Sequence, residues 1–233
     1  EPHISATALI VMTCIILIFV GGVNLKQFLL IGIIGAAGAL LVVSIMSRNY
    51  DYIQKRIQSW VDPFADSQGN TWQTCQSLIA IGSGGLFGLG LGESRQKYLY
   101  LPETKNDFVF SIVCEELGLV GALTVVLLFT LLVIRGFYIA MRAKDKFGML
   151  MAIGLTSHIG LQAFFNIAVV SNLIPNTGIS LPFFSYGGTA LILQLAEMGI
   201  VLNISRVRYQ SPQRTPAAER APQAEVQLQG GNA

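Results

Sequence analysis

The run FVFSIVCEELGLVGALTVVLLFTLLVI, Phe108 to Ile134, decides the fold class. It carries two adjacent carboxylates near its start and no other charge. A helix crosses the hydrocarbon core of a bilayer with about 20 predominantly apolar residues, so this run is long enough to span. Four further windows have the same character: Ile4 to Val23, Leu25 to Met46, Phe147 to Val170 and Gly188 to Ile204. The whole chain is 52% hydrophobic and only 12% charged, against about 25% charged for a soluble domain. The expected fold is all-α: a polytopic transmembrane helix bundle with about five spans in the plasma membrane.

Topology follows from the short connections. Val23 to Lys26 is a tight link that makes the first two spans an antiparallel hairpin. Arg135, Arg142, Lys144 and Lys146 lie between the third and fourth spans, and Arg206 and Arg208 follow the fifth. Short basic loops stay cytoplasmic, which puts the start of the chain and the segments 47–107 and 171–187 outside. Residues 207–233, rich in Pro, Gln, Ala and Gly, read as a disordered cytoplasmic tail. The opening Glu1-Pro2-His3 has neither an initiator methionine nor a basic signal region, so the chain reads as the C-terminal part of a larger protein.

A connection as long as 47–107 is expected to have structure of its own. Ile53, Ile57 and Trp60 form one helical stripe suited to the membrane interface. Trp72, Cys75, Leu78 and Ile79 make a second short helical pattern, begun near Asn70 or Thr71 and stopped by Gly82. The run GSGGLFGLGLGE (Gly82 to Glu93) allows close approach of backbone to a ligand or to another helix. It lacks the Gly-Lys-Ser/Thr ending of a phosphate-binding loop, and no nucleic-acid partner is expected. Cys14, Cys75 and Cys114 have no metal-site or disulfide spacing and read as buried small hydrophobes.

The chemistry concentrates in the stretch before the decisive span. Arg95, Lys97, Glu103, Lys105 and Asp107 fall close together in sequence, next to a membrane-spanning helix. The basic residues fit either a headgroup-facing set of charges or a clamp for phosphate or pyrophosphate. Asp107 fits either an N-terminal cap of the span or a general base. Glu115 and Glu116 sit in the first turns, where the helix dipole favours them, and Glu116 is also placed to line a cavity.

RQKYLYLPETKNDFVFSIVCEELGLVG (Arg95 to Gly121) and GISLPFFSYGGTALI (Gly178 to Ile192) resemble the two signature regions of the SEDS family of FtsW, RodA and SpoVE, nearer to the FtsW and SpoVE branch. With the hydrophobic pattern between them, the resemblance covers almost all of residues 1–206. It implies a ten-helix membrane protein of which this chain is roughly the last half. It further implies a peptidoglycan glycosyltransferase that polymerises lipid II, with Asp107 as the essential aspartate and Arg95, Lys97, Pro102 and Glu103 on neighbouring motif positions. Lys105, Ser185 and Tyr186 join the candidate substrate contacts. The implied partners are a class B penicillin-binding protein, which is a transpeptidase, and other divisome or elongasome membrane proteins. No cofactor or metal ligand set is evident, and a divalent-cation requirement stays open.

Three positions depart from the family pattern: His3, where an aspartate is common, Thr177, and Glu197 in the middle of the last span. A carboxylate at that depth should face the bundle interior and be paired. His158, Gln162 and Asn166, spaced four apart, form a polar stripe, so a contact between Glu197 and His158 is expected. That stripe reads either as interhelical packing or as a substrate or proton path. Two rival functions stand beside polymerisation: a lipid II flippase, and a noncatalytic activator of the transpeptidase.

Overall fold

The computed structural model describes residues 4–24, positions 26, 27, 29, 30, 32, 33, 35 and 38, and residues 60–65, 71–96, 106–176 and 178–207. Every regular element among them is a helix: α1 (Ile4–Val20), α2 (Trp72–Ser83), α3 (Val109–Met141), α4 (Lys146–Val170) and α5 (Gly188–Val207). Helices α3, α4 and α5 are long and apolar enough to cross a membrane; α1 is apolar but shorter. The chain is a multi-pass helical membrane protein.

Helix α4 is the axis of the bundle and packs against α1, α2, α3 and α5. Its small residues allow this. A Cβ added to Gly136 of α3 would lie 2.3 Å from Thr156 Oγ1, and one added to Gly160 would lie 2.8 Å from Val133 Cγ2. In lipid, where tails are as apolar as side chains, such close backbone approach drives helix association. Phe108, Phe110, Phe129, Ile159, Val170 and Leu181 form the core at one end of the bundle; Ala140, Ala152 and Ile153 form a smaller one at the other. Asp145 starts α4, its carboxylate accepting from the Gly148 amide at 2.9 Å.

Helix α2 docks where α3 begins and α4 ends. The buried Ser77 hydroxyl donates to the Val170 carbonyl at 2.8 Å, which leaves Ser111 Oγ as the donor of the 2.7 Å bond between the two serines. Helix α3 is then broken at Gly118, whose φ of 65° and ψ of −163° are non-helical. The glycine-rich run repairs the break. Leu89 and Gly90 amides donate to the Glu115 and Glu116 carbonyls at 2.9 and 3.0 Å, and Leu119 and Val120 amides donate to Gly85 and Leu86 carbonyls at 2.9 and 3.2 Å. A Cβ on Gly84 would lie 1.9 Å from the Cys114 carbonyl oxygen, and one on Gly88 2.1 Å from that of Glu116. Of the two uses open to this run, the approach to another helix is the one the structure shows.

Several boundaries differ from expectation. The third span continues past Ile134 to Met141, so Arg135 stands inside the helix rather than in a loop. The first ends at Val20, not Val23, because Gly22 at φ 86° turns the chain there. Helix α2 runs through Gly82 to Ser83, and Thr71, its N-cap, makes no side-chain cap bond. Cys75 and Cys114 are buried, but Cys14 is exposed. Burial also pushes the Cys75 thiol above its usual pKa. The tail from 208, most of the interfacial stripe at 53–60 and much of the second span lie outside the described residues.

Candidate active site

Asp107 enters its position through the residues beside it. Phe108, 2% exposed, is buried in the core and occupies the N-cap of α3, where there is no side-chain cap bond. The expected cap position therefore falls one residue after Asp107, and its apolar side chain is an anchor that holds the Asn106-Asp107 pair at the edge of the core. Fully buried Asn166 of α4 donates from Nδ2 to the Asp107 carbonyl at 2.7 Å and to the Ile179 carbonyl at 2.6 Å. Ser185 completes the fastening: its hydroxyl donates to the Asn106 carbonyl at 2.5 Å and accepts from the Leu181 amide at 2.8 Å.

These bonds join the two signature segments around one cavity of about 300 Å³, lined by Asp107, Ser180, Ser185, Tyr186 and Gln194 among others. Tyr186 is 82% exposed and stands on its rim. A Cβ on Gly178, whose φ is 68°, would lie 3.5 Å from Asp107 Oδ2, so the carboxylate faces a position without a side chain. Phe183 holds a left-handed φ of 64°, rare for a bulky residue. Its amide donates to Gln194 Oε1 at 2.9 Å, fixing the turn that presents Ser185 and Tyr186.

The segments before α3 and after α4 also meet away from the cavity. Trp60 Nε1 donates to the Asn172 carbonyl and Asn172 Nδ2 to the Trp60 carbonyl, both at 3.1 Å. Asn176 Nδ2 donates to Gln73 Oε1 at 3.2 Å. The segments before α3 and after α4 thus emerge at the same end, as the topology requires.

Arg95 is exposed and does not line the Asp107 cavity. It is held by Glu115, 1% exposed, which accepts from the Arg95 amide at 3.1 Å and from the Ser94 hydroxyl at 2.5 Å. Beyond the dipole, Glu115 thus makes a specific clamp on the segment that carries Arg95. Glu116 is partly buried beside the helix break and is not among the cavity residues. Lys97, Pro102, Glu103, Lys105 and Thr177 lie outside the described residues.

His158 Nδ1 and Glu197 Oε1 are 3.4 Å apart, the expected contact. Gln162 Nε2 donates to the Ser180 carbonyl at 3.1 Å, so two members of the polar stripe, Gln162 and Asn166, hold the second signature segment. A second cavity of about 320 Å³ shares Ser180, Ala190 and Gln194 with the first and is also lined by His158 and Glu197. That pair in turn borders a third, mostly apolar cavity of about 540 Å³ reaching Phe147. Gln194, which lines both cavities, is absent from the residues expected above, although an amide three residues before Glu197 in an apolar span is a usable signal. Among the described residues no group of three or more His, Cys, Asp or Glu is placed to hold a metal ion.

Residues 1–210 match the FtsW/RodA/SpoVE family of cell cycle proteins. Stage V sporulation protein E of Bacillus subtilis (strain 168) is 47% identical over 206 residues, 88% of this chain and 55% of that one. The probable peptidoglycan glycosyltransferase FtsW of the same organism is 44% identical over 210 residues, 88% of this chain and 52% of that one. The chain spans about half the length of these curated relatives. A chain in a solved peptidoglycan synthase complex that coordinates polymerization and crosslinking superposes with a TM-score of 0.67 at 30% identity, over 91% of this chain and 58% of that one. The rod shape determining protein RodA of Thermus thermophilus gives 0.55 at 28% identity, over 91% and 52%.

Proposed function

Since the chain belongs to the FtsW/RodA/SpoVE family, we propose that it acts in peptidoglycan glycosyl transfer, polymerising lipid II with Asp107 as general base. The observation that carries this reading is the fastening of Asp107 and the Ser185-Tyr186 segment over one cavity. In the proposed step, Asp107 takes the proton of a sugar 4-hydroxyl as that oxygen bonds to the anomeric carbon of the growing chain. The bond from that carbon to the pyrophosphate oxygen breaks, and the lipid pyrophosphate leaves with its electron pair. Arg95, which stands outside the Asp107 cavity, and Lys97 are the cations proposed to meet the charge that develops on it as the pyrophosphate departs.

The cavity residues divide between shaping and contact. The Ser185 hydroxyl already serves Asn106 and Leu181, so its contribution is to the shape of the segment. Tyr186 on the rim offers a ring face and a phenol to a sugar. A class B penicillin-binding protein is the proposed partner, in keeping with the synthase complex among the structural neighbours. The flippase reading has one observation in its favour, the His158 and Glu197 pair bordering cavities within the bundle.

Purified intact protein with its transpeptidase, supplied with labelled lipid II in detergent, separates polymerisation by this site from the other two functions. Glycan ladders that form with the native protein and vanish with Asp107→Asn, at equal amounts of folded protein, support polymerisation by this site. Ladders that persist unchanged in the variant overturn it, and leave transport or activation of the partner.

A further inference from the structure

The opposite end of the bundle from Asp107 holds a cluster that glycosyl transfer does not use. Arg135 and Arg142 on α3 and its C-cap, and Arg206 in the last turn of α5, line a cavity of about 140 Å³ together with Tyr138 and Ser205. The Tyr138 ring orients two of them, with the Arg142 guanidinium carbon 4.1 Å and that of Arg135 5.1 Å from its centroid. Among the described residues no carboxylate pairs with any of the three: Asp145, the acidic group nearest in sequence to Arg142, is engaged with the Gly148 amide.

Spacing explains the convergence. Arg135 and Arg142 lie three residues before and four residues after Tyr138, so one reaches forward and the other back to its ring from adjacent turns. Helix α5 closes the third side, and Ser205 adds a hydroxyl at the lining. Positive charge at this end is what topology alone demands, and scattered lysines would satisfy that demand. Two guanidiniums gathered on one ring beside a third, around a cavity and with no counter-ion among the described residues, go beyond it, because like charges held together are costly until an anion joins them.

We infer that this cavity binds the phosphate of an anionic glycerophospholipid in the leaflet at that end of the bundle. Planar forks from two or three arginines match the phosphodiester oxygens, and basic pockets between spanning helices at the membrane surface are suited to such headgroups. The position at the ends of two spanning helices places the phosphate at headgroup depth while its acyl chains run along the exposed apolar faces of α3 and α5, including Leu131, Ile134 and Leu202. This site is independent of the reaction proposed for Asp107.

The test is native mass spectrometry of the intact protein in detergent, with dioleoylphosphatidylglycerol, dioleoylphosphatidylcholine or inorganic phosphate added. Phosphatidylglycerol should be retained in preference to phosphatidylcholine. Removing two forked contacts in R135Q/R142Q should weaken retention about tenfold or more. The charge-matched control K144Q/K146Q, which removes two lysines from the same end but outside the cavity, should stay within about twofold of the native protein. Arg142→Lys keeps the charge and loses the fork; should the double variant not fold, this single variant should retain less phosphatidylglycerol than the lysine control, and equal retention overturns the site. Equal retention of both lipids overturns the site, as does an equal loss in the lysine control. Displacement of the lipid by millimolar inorganic phosphate overturns the lipid assignment in favour of a soluble anion.

Discussion

The side-chain amide of Asn166 spans the two signature segments, donating to the carbonyl of Asp107 at 2.7 Å and to that of Ile179 at 2.6 Å. Asn166→Ala removes both bonds and leaves two carbonyls in a fully buried setting, a loss of about 1–3 kcal/mol. Catalysis should suffer more than folding, because displacing a reacting group by about 1 Å can cost about a hundredfold in rate. Asn166→Asp supplies an acceptor where a donor is needed and should be at least as harmful. Turnover of lipid II measured beside thermal unfolding checks this: a fall in kcat no larger than the fall in folded protein would reduce Asn166 to a packing residue.

The two glycines Gly118 and Gly82 should respond in opposite directions. Gly118 stands at φ 65° and ψ −163°, and a Cβ there would lie 2.3 Å from the Gly88 amide nitrogen. That backbone region is essentially reserved for glycine, at about 1–3 kcal/mol for any other residue, and the clash adds to it. Gly118→Ala should therefore unseat the glycine-rich run and lower the yield of folded protein. Gly82 is helical and exposed, with nothing within 4 Å of an added Cβ. Gly82→Ala should stabilise by about 0.5–1 kcal/mol. Melting temperatures in detergent decide both.

How far the site was legible depended on whether a residue's partner was local. The spans could be read because apolar length is a property of one segment, and the Glu197 to His158 contact because a lone carboxylate at mid-membrane depth demands a partner. Asp107 stood out by its neighbours in sequence, but its capping role could not be settled there, since one residue of register separates it from Phe108. The break at Gly118 was invisible for a different reason. Nothing in an apolar helix reports that its carbonyls will be taken by a glycine run more than twenty residues upstream. Ser185 shows the same limit: its hydroxyl reads as a ligand contact until the Asn106 carbonyl is seen beside it.

Glu115 offers a prediction about order rather than rate. Its carboxylate holds the Arg95 amide and the Ser94 hydroxyl, fixing the segment on which Arg95 is presented. Glu115→Ala should raise hydrogen exchange at the Ser94 to Gln96 amides while leaving α4 protected. Glu115→Gln keeps one acceptor oxygen and should give a smaller rise. Unchanged exchange in the alanine variant would show that the segment is held by other contacts.

His158 and Glu197 form a pair at mid-bundle. If His158 and Glu197 serve packing, Glu197→Gln should lower the melting temperature of the detergent-solubilised protein and spare polymerisation. The His158→Gln/Glu197→Gln double variant should then be no less stable than the worse single one, because removing both partners leaves neither group uncompensated. The coupling should fall within about 0.5–3 kcal/mol, as for residues in direct contact. Transport predicts another pattern: each single variant would stop movement of labelled lipid II across proteoliposomes while leaving stability unchanged. Their 3.4 Å separation is compatible with either. What favours packing is the neighbouring turns of α4, where Gln162, although it also lines the cavity of about 320 Å³, and Asn166 spend their side-chain amides on backbone carbonyls of the signature segments.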